Sequence, residues 1–103
     1  MWQLKSHQPR FIKYRVVGQD TSFKLAFYDG EVWVTQKQMA DIFSLKLATI
    51  NSHLKRIWRE NKYPEAEYSH LFTITANDGK QYQVWHYRLE ILEEIERKRL
   101  YQS

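Results

Sequence analysis

The sequence predicts an α+β fold in which a pair of short helices lies between two groups of strands. Three patterns predict this class. Residues 11–34 alternate apolar and polar side chains, residues 35–58 repeat apolar side chains at helical spacing, and residues 71–87 form a second alternating hairpin. With 103 residues, 43% of them hydrophobic, the chain can form one core, so we treat residues 1–103 as a single domain. The basic, irregular residues 1–10 are expected to be flexible.

The N-terminal part predicts a β-meander. Its strands are predicted over 11–17, 23–28 and 32–34. Asp29-Gly30 separates the second strand from the third, and this dipeptide favours a two-residue hairpin turn in which both residues take positive φ. We therefore expect three antiparallel strands before the first helix.

Residues 35–60 have the pattern of a helix-turn-helix. Thr35 can cap a helix over 36–43 through its hydroxyl, and Gln38 can return a hydrogen bond to the cap backbone. Ser44-Leu45-Lys46 forms a short turn, and a second helix is predicted over 47–60. Such a second helix can lie in the major groove of DNA.

A hairpin and a final helix complete the predicted fold. After a loop or short helix over 61–69, strands are expected over 71–76 and 81–87, with a tight turn between them. Helix-turn-helix followed by hairpin is the order of a winged helix, in which the hairpin would be the wing. The alternative is a hairpin that only covers the core. The apolar side chains available for that are Phe72, Ile74, Tyr82, Val84 and Trp85, and we expect Trp33, Trp58 and Trp85 inside.

The final helix, predicted over 89–101, leaves two assemblies open. Leu89, Leu92 and Ile95 form a stripe, joined less regularly by Ile91 and Leu100. The stripe can pack on the chain's own hairpin, or a second copy can cover it to form a homodimer.

Composition argues against several classes of protein. Without cysteine the chain has no disulfide, catalytic thiol or cysteine-based zinc site. No apolar run of membrane length and no signal-peptide pattern occurs, so we expect a cytoplasmic protein. The four histidines lack ligand spacing, and Glu65/Glu67 and Glu93/Glu94 are expected to be solvated surface pairs. We predict no enzyme activity, no cofactor and no metal.

The predicted DNA-binding residues lie mainly on the second helix. The segment 46–59 contains four basic residues and no acid, within a chain of net charge +4. Asn51 and Ser52 are the candidate base readers, while the basic side chains suit phosphates. The aromatic residues could instead stack single-stranded bases, but a core role is favoured. The predicted DNA contacts are Lys46, Ala48, Thr49, Asn51, Ser52, Lys55, Arg56 and Arg59, with Lys80 at the wing tip.

Residues 31–92 resemble the virulence RhuM family. The resemblance is carried by the segments VWVTQKQMADIF, TINSHLKRI and ANDGKQYQVWHYRLEIL, in that order, and spans about three fifths of the chain. It implies a DNA-binding region of a bacterial protein, often encoded near mobile or phage-related genes. Some relatives continue into a Fic-type domain, but this chain lacks a His-Pro-Phe motif, so AMP transfer does not carry over. Two features depart from the family: Ser44 stands where the helix turn usually has glycine, and EEIERKRLYQS follows Leu92 where relatives have a longer C-terminal region.

The sequence therefore predicts a winged helix-turn-helix with an N-terminal β-meander and a C-terminal helix. Its expected function is sequence-specific binding of double-stranded DNA by a bacterial or phage/mobile-element transcriptional regulator. The alternative is a protein-interaction adaptor, such as an antirepressor or a toxin or nuclease partner, that uses the same fold.

Overall fold

The computed structural model describes residues 9–15, 18 and 20–102, with side chains described as far as residue 99. The predicted flexible segment falls almost entirely on residues 1–8, outside the described residues. The described chain is a mixed α+β fold with five strands and four helices. These are β1 (Arg10–Arg15), β2 (Ser22–Tyr28), β3 (Glu31–Thr35), α1 (Gln36–Phe43), α2 (Leu47–Glu60), α3 (Glu65–Tyr68), β4 (Ser69–Thr75), β5 (Gln81–Arg88) and α4 (Leu89–Gln102).

All five strands form one antiparallel sheet in the order β1-β2-β3-β5-β4. The predicted meander is confirmed as β1-β2-β3. Asp29 and Gly30 both have positive φ, 54° and 76°, and join a β2–β3 pair that ends at Tyr28 opposite Glu31. Because this turn fixes the register, it also fixes which side chains of β3 face the helices.

The main core lies between one face of the sheet and the helices. Strand side chains alternate, so Leu25, Val34 and Tyr87 point to this face. Helices α1, α2 and α4 cover it with buried side chains. They are Met39, Ala40, Ile42, Phe43, Ile50, Leu54, Ile57, Ile91, Leu92 and Ile95.

The opposite face of the sheet carries a smaller core. Ala26, Trp33 and Phe72 are buried there, and Tyr28 and Ile74 pack against them. Phe11 of β1 and Thr73–Thr75 of β4 line one cavity of about 120 Å³, although these strands are the two edges of the sheet. The sheet is therefore curled around this second core, as its strand twist favours.

Helix α4 packs within its own chain. The described members of its stripe are either fully buried, as Ile91, Leu92 and Ile95 are, or partly buried, as Leu89 is. The side chain of Leu100 lies outside the described residues. Of the two assemblies left open by the sequence, the fold supports the intramolecular one, because the described part of the stripe is already covered.

Several expectations about burial are wrong. Trp85 is 53% exposed on the helix-facing side of the sheet, and Tyr82 is 49% exposed on the opposite face. Glu94 is buried and pairs with Arg97, rather than being solvated. Of the tryptophans expected inside, Trp33 is buried and Trp58 is partly buried against the core.

Element limits differ slightly from the predicted ones. The two central helices begin and end as predicted, whereas β4 begins at Ser69 and residues 65–68 form the short helix α3. Residues 16 and 17, predicted as the end of the first strand, lie outside the described residues.

Candidate nucleic-acid interface

The first helix of the pair begins at the predicted cap. The backbone N–H of Gln38 donates to Thr35 Oγ1 at 3.0 Å, and the backbone N–H of Thr35 donates to Gln38 Oε1 at 2.9 Å. Gln38 Nε2 also donates to the carbonyl oxygen of Lys24 at 2.8 Å. The capping box is thus confirmed, and its amide additionally ties the start of α1 to β2.

The turn between the helices contains a residue in the left-handed backbone conformation, at a position that glycine usually occupies. Ser44 has φ 55° and ψ 46°, and the N–H of Leu45 donates to the carbonyl of Ala40 at 2.9 Å. This is the hydrogen bond with which a Schellman motif closes a helix. Serine, unlike glycine, adopts this left-handed conformation at a cost, so Ser44 carries backbone strain.

Helix α2 has one buried face and one polar face. Ile50, Leu54 and Ile57 are buried against the sheet and the neighbouring helices. The opposite face is exposed at seven predicted positions. These are Lys46, at the N-cap, and Ala48, Thr49, Asn51, Ser52, Lys55 and Arg59. At about 100° per residue, Ala48, Ser52, Lys55 and Arg59 form the outermost line, and Asn51 lies on the side of Leu47.

The structure places Arg56 differently from the other predicted contacts. Its side chain is only 18% exposed. Arg56 Nη1 lies 3.4 Å from Glu60 Oε1, and Arg56 Nη2 lies 2.9 Å from His53 Nδ1. Arg56 therefore lies at the flank of the exposed face with its charge partly compensated, rather than on the outermost line.

Lys80 lies at the tip of the hairpin, as predicted, and is exposed. Its backbone N–H donates to Asp78 Oδ1 at 2.9 Å, and Gly79 takes φ 84° in the same turn. Because the carboxylate of Asp78 lies in this turn, the tip has little net positive charge to offer a phosphate.

A groove that the sequence did not predict separates α2 from the hairpin. It has a volume of about 500 Å³, and Leu47 and Trp85, which are 52% and 53% exposed, give it an apolar surface. The remaining lining residues are Thr35, Gln36, Lys37, Gln83 and Val84. Trp85 shares its sheet face with Gln81 and Gln83, and these polar neighbours were the sequence signal for an exposed strand end.

A second, basic pocket lies on the other flank of α2. Thr49, Ser52, His53, Arg56 and Arg59 line a cavity of about 270 Å³. Burial lowers the pKa of His53, and the positive charges of Arg56 and of Arg99 on α4 lower it further. The sequence did not predict that His53 and Arg99 lie near each other, because only the packing of α4 brings them together.

Within the described residues no helix is both long and apolar enough to cross a membrane.

Comparison with known proteins identifies no relative. No protein-family model matches the chain, and no match was found among the curated proteins or the solved structures. The resemblance to the virulence RhuM family consequently stays a prediction.

Proposed function

We propose that the protein binds double-stranded DNA in a sequence-dependent manner through α2. The observation that carries this proposal is the exposed face of that helix. From Lys46 to Arg59 it presents basic and small polar side chains without an acid, while its apolar face is buried. A polar, basic helix surface beside a short turn is what docking in the major groove requires.

The order and pairing of the elements support a winged helix-turn-helix. Strand β3 precedes the helix pair and pairs with β5, and β5 pairs with β4, so the hairpin lies next to the strand that leads into α1. In the proposed complex α2 lies in the major groove and the β4–β5 hairpin is the wing. Support for the wing comes more from Gln83 and Trp85, which line the groove beside α2, than from Lys80.

Different positions on α2 suit different contacts. Asn51 is exposed near the start of the helix and can pair with an adenine edge through both atoms of its amide. Lys55 and Arg59 lie nearer the C-terminal end, and neither makes an ion pair with a residue that the structure describes. They are therefore available for phosphates.

A role as a bacterial or phage/mobile-element transcriptional regulator is part of the same proposal. It rests on the DNA-binding face and on the resemblance of residues 31–92 to the RhuM family. Reading a particular sequence while leaving the DNA chemically unchanged is the activity that such a role needs.

The test is a selection from a pool of random duplexes, followed by titrations of the preferred site and of random DNA. Asn51→Ala should weaken binding to the preferred site by ~1–3 kcal/mol and should change binding to random DNA little. An equal loss on both duplexes would mean that Asn51 only positions the protein. Failure of the wild type to enrich any sequence would refute sequence-specific binding.

A protein-interaction adaptor is the second candidate, and the groove between α2 and the hairpin favours it. Leu47 and Trp85 expose a combined apolar surface of the kind that anchors protein partners. If the protein is an adaptor, a partner protein from the source cell should stay bound to it at high salt, and the Leu47→Ser variant should no longer bind that partner. Under DNA binding, Leu47→Ser should leave the salt dependence of duplex affinity unchanged.

A further inference from the structure

The basic pocket beside α2 is lined by residues of that helix, and a positive charge from the distant helix α4 acts on one of them. Thr49, Ser52, His53, Arg56 and Arg59 line it. The guanidinium of Arg99, on α4, lies over the ring of Phe43 with its Cζ 5.0 Å from the ring centroid. This stacking holds the Arg99 charge at the end of α1, where it acts on His53.

The hydrogen bond between Arg56 and His53 fixes the protonation of the imidazole. An arginine can only donate, so Nδ1 of His53, 2.9 Å from Arg56 Nη2, must accept. The ring proton of the neutral imidazole is then on Nε2, which is a donor. His53 thus adds a neutral N–H to a pocket that already has two hydroxyl side chains, Thr49 and Ser52.

The charges around this pocket favour an anion. Glu60 compensates Arg56 at 3.4 Å, whereas Arg59 and Arg99 make no ion pair with any residue in the described part of the chain. Two uncompensated guanidinium groups with hydroxyl and imidazole donors match the oxygens of a phosphate.

We propose that this pocket binds one phosphate group of the DNA backbone, with Arg59 and Arg99 supplying charge and His53 donating through Nε2–H. The inference rests on the proposed DNA binding and makes α4 part of the DNA interface. Helix α2 would then have the phosphate pocket on one flank and the hairpin groove on the other, so that both strands bordering the major groove are contacted.

The first test compares Arg99→Gln with Lys98→Gln, which removes the same charge from the neighbouring position of α4. Loss of one phosphate contact should reduce the slope of log affinity against log salt by about 0.9. Between 0.1 and 0.3 M salt, the affinity ratio of wild type to Arg99→Gln should therefore shrink about threefold. Lys98→Gln should follow the wild type more closely. Equal effects of the two variants would overturn the role of Arg99.

The second test examines the imidazole. His53→Gln keeps an N–H donor at the end of the side chain, so it should retain more duplex affinity than His53→Leu. NMR titration of His53 in the wild type, alone and with inorganic phosphate or a short duplex, gives an independent readout. A bound phosphate offsets the nearby cations and should raise the pKa of His53.

The outcomes separate this inference from the proposed function. Duplex binding that is unaffected by Arg99→Gln and His53→Leu, with an unshifted His53 pKa, would overturn the pocket and leave DNA binding intact. If no duplex binds but inorganic phosphate still raises the pKa of His53, DNA binding fails and the pocket is a site for a small phosphate compound. An adventitious response to salt is ruled out if chloride at equal ionic strength leaves His53 unshifted.

Discussion

Replacing both Lys55 and Arg59 with alanine is the most direct perturbation of the proposed DNA-binding face. The two side chains are exposed on the outermost line of α2 and pair with no acid among the described residues. Their removal should therefore leave the stability of the fold nearly unchanged, as is usual for exposed positions. What should change is the number of phosphate contacts.

The magnitude follows from counterion release. Each phosphate contact contributes about 0.9 to the slope of log affinity against log salt, so two lost contacts flatten the slope by about 1.8. Raising salt threefold, from 0.1 to 0.3 M, should consequently shrink the affinity ratio of wild type to variant about sevenfold. The loss should be similar on every duplex, because phosphates carry no sequence information.

Fluorescence anisotropy with a labelled duplex at several salt concentrations measures this slope directly. The matched control is Arg10→Ala with Lys13→Ala, which removes one arginine and one lysine from exposed positions of β1. Circular dichroism should show that both double variants are folded. A slope unchanged by Lys55→Ala/Arg59→Ala, or flattened equally by the β1 control, would refute the docking face.

The remaining predictions concern stability. Ser44→Gly should raise the free energy of unfolding by ~1 kcal/mol, seen as a melting temperature higher by roughly 4–8 °C, because glycine relieves the left-handed strain; Ser44→Ala should give no such gain. Thr35→Ala should lower the free energy of unfolding by ~1 kcal/mol, measured by chemical denaturation, because it removes the capping box. A loss near zero would mean that the Gln38 amide alone holds the start of the helix. Burial lowers the pKa of His86, and so does the charge of His70, while the hydrogen bond to the Val84 carbonyl opposes them. The stability that neutral His86 contributes should be fully present above pH 6.5, the ordinary pKa of histidine. It should be lost as pH falls through the lowered pKa that His86 has in the folded state. Denaturation at several pH values should therefore show a smaller acid-induced loss in His86→Gln than in the wild type.

Features that depend on residues close in sequence were predictable. The Asp29-Gly30 turn, the Thr35–Gln38 capping box and the limits of α1 and α2 all follow from contacts between residues no more than a few positions apart. The outward positions of α2 were likewise predictable, because helical periodicity alone separates its apolar face from its polar face.

Tertiary structure decided the features that depend on which surfaces meet. The same apolar stripe on α4 could cover its own core or a second copy, and only the fold assigns Ile91 and Ile95 to the chain's own core. Alternation placed Trp85 on the helix-facing side of the sheet, but only the packing of the helices decides that it lines an open groove with Leu47 and stays exposed. Arg99 and His53 are 46 positions apart in sequence. Their proximity requires α4 to pack beside α1 and α2, and no local pattern encodes a contact formed by distant surfaces.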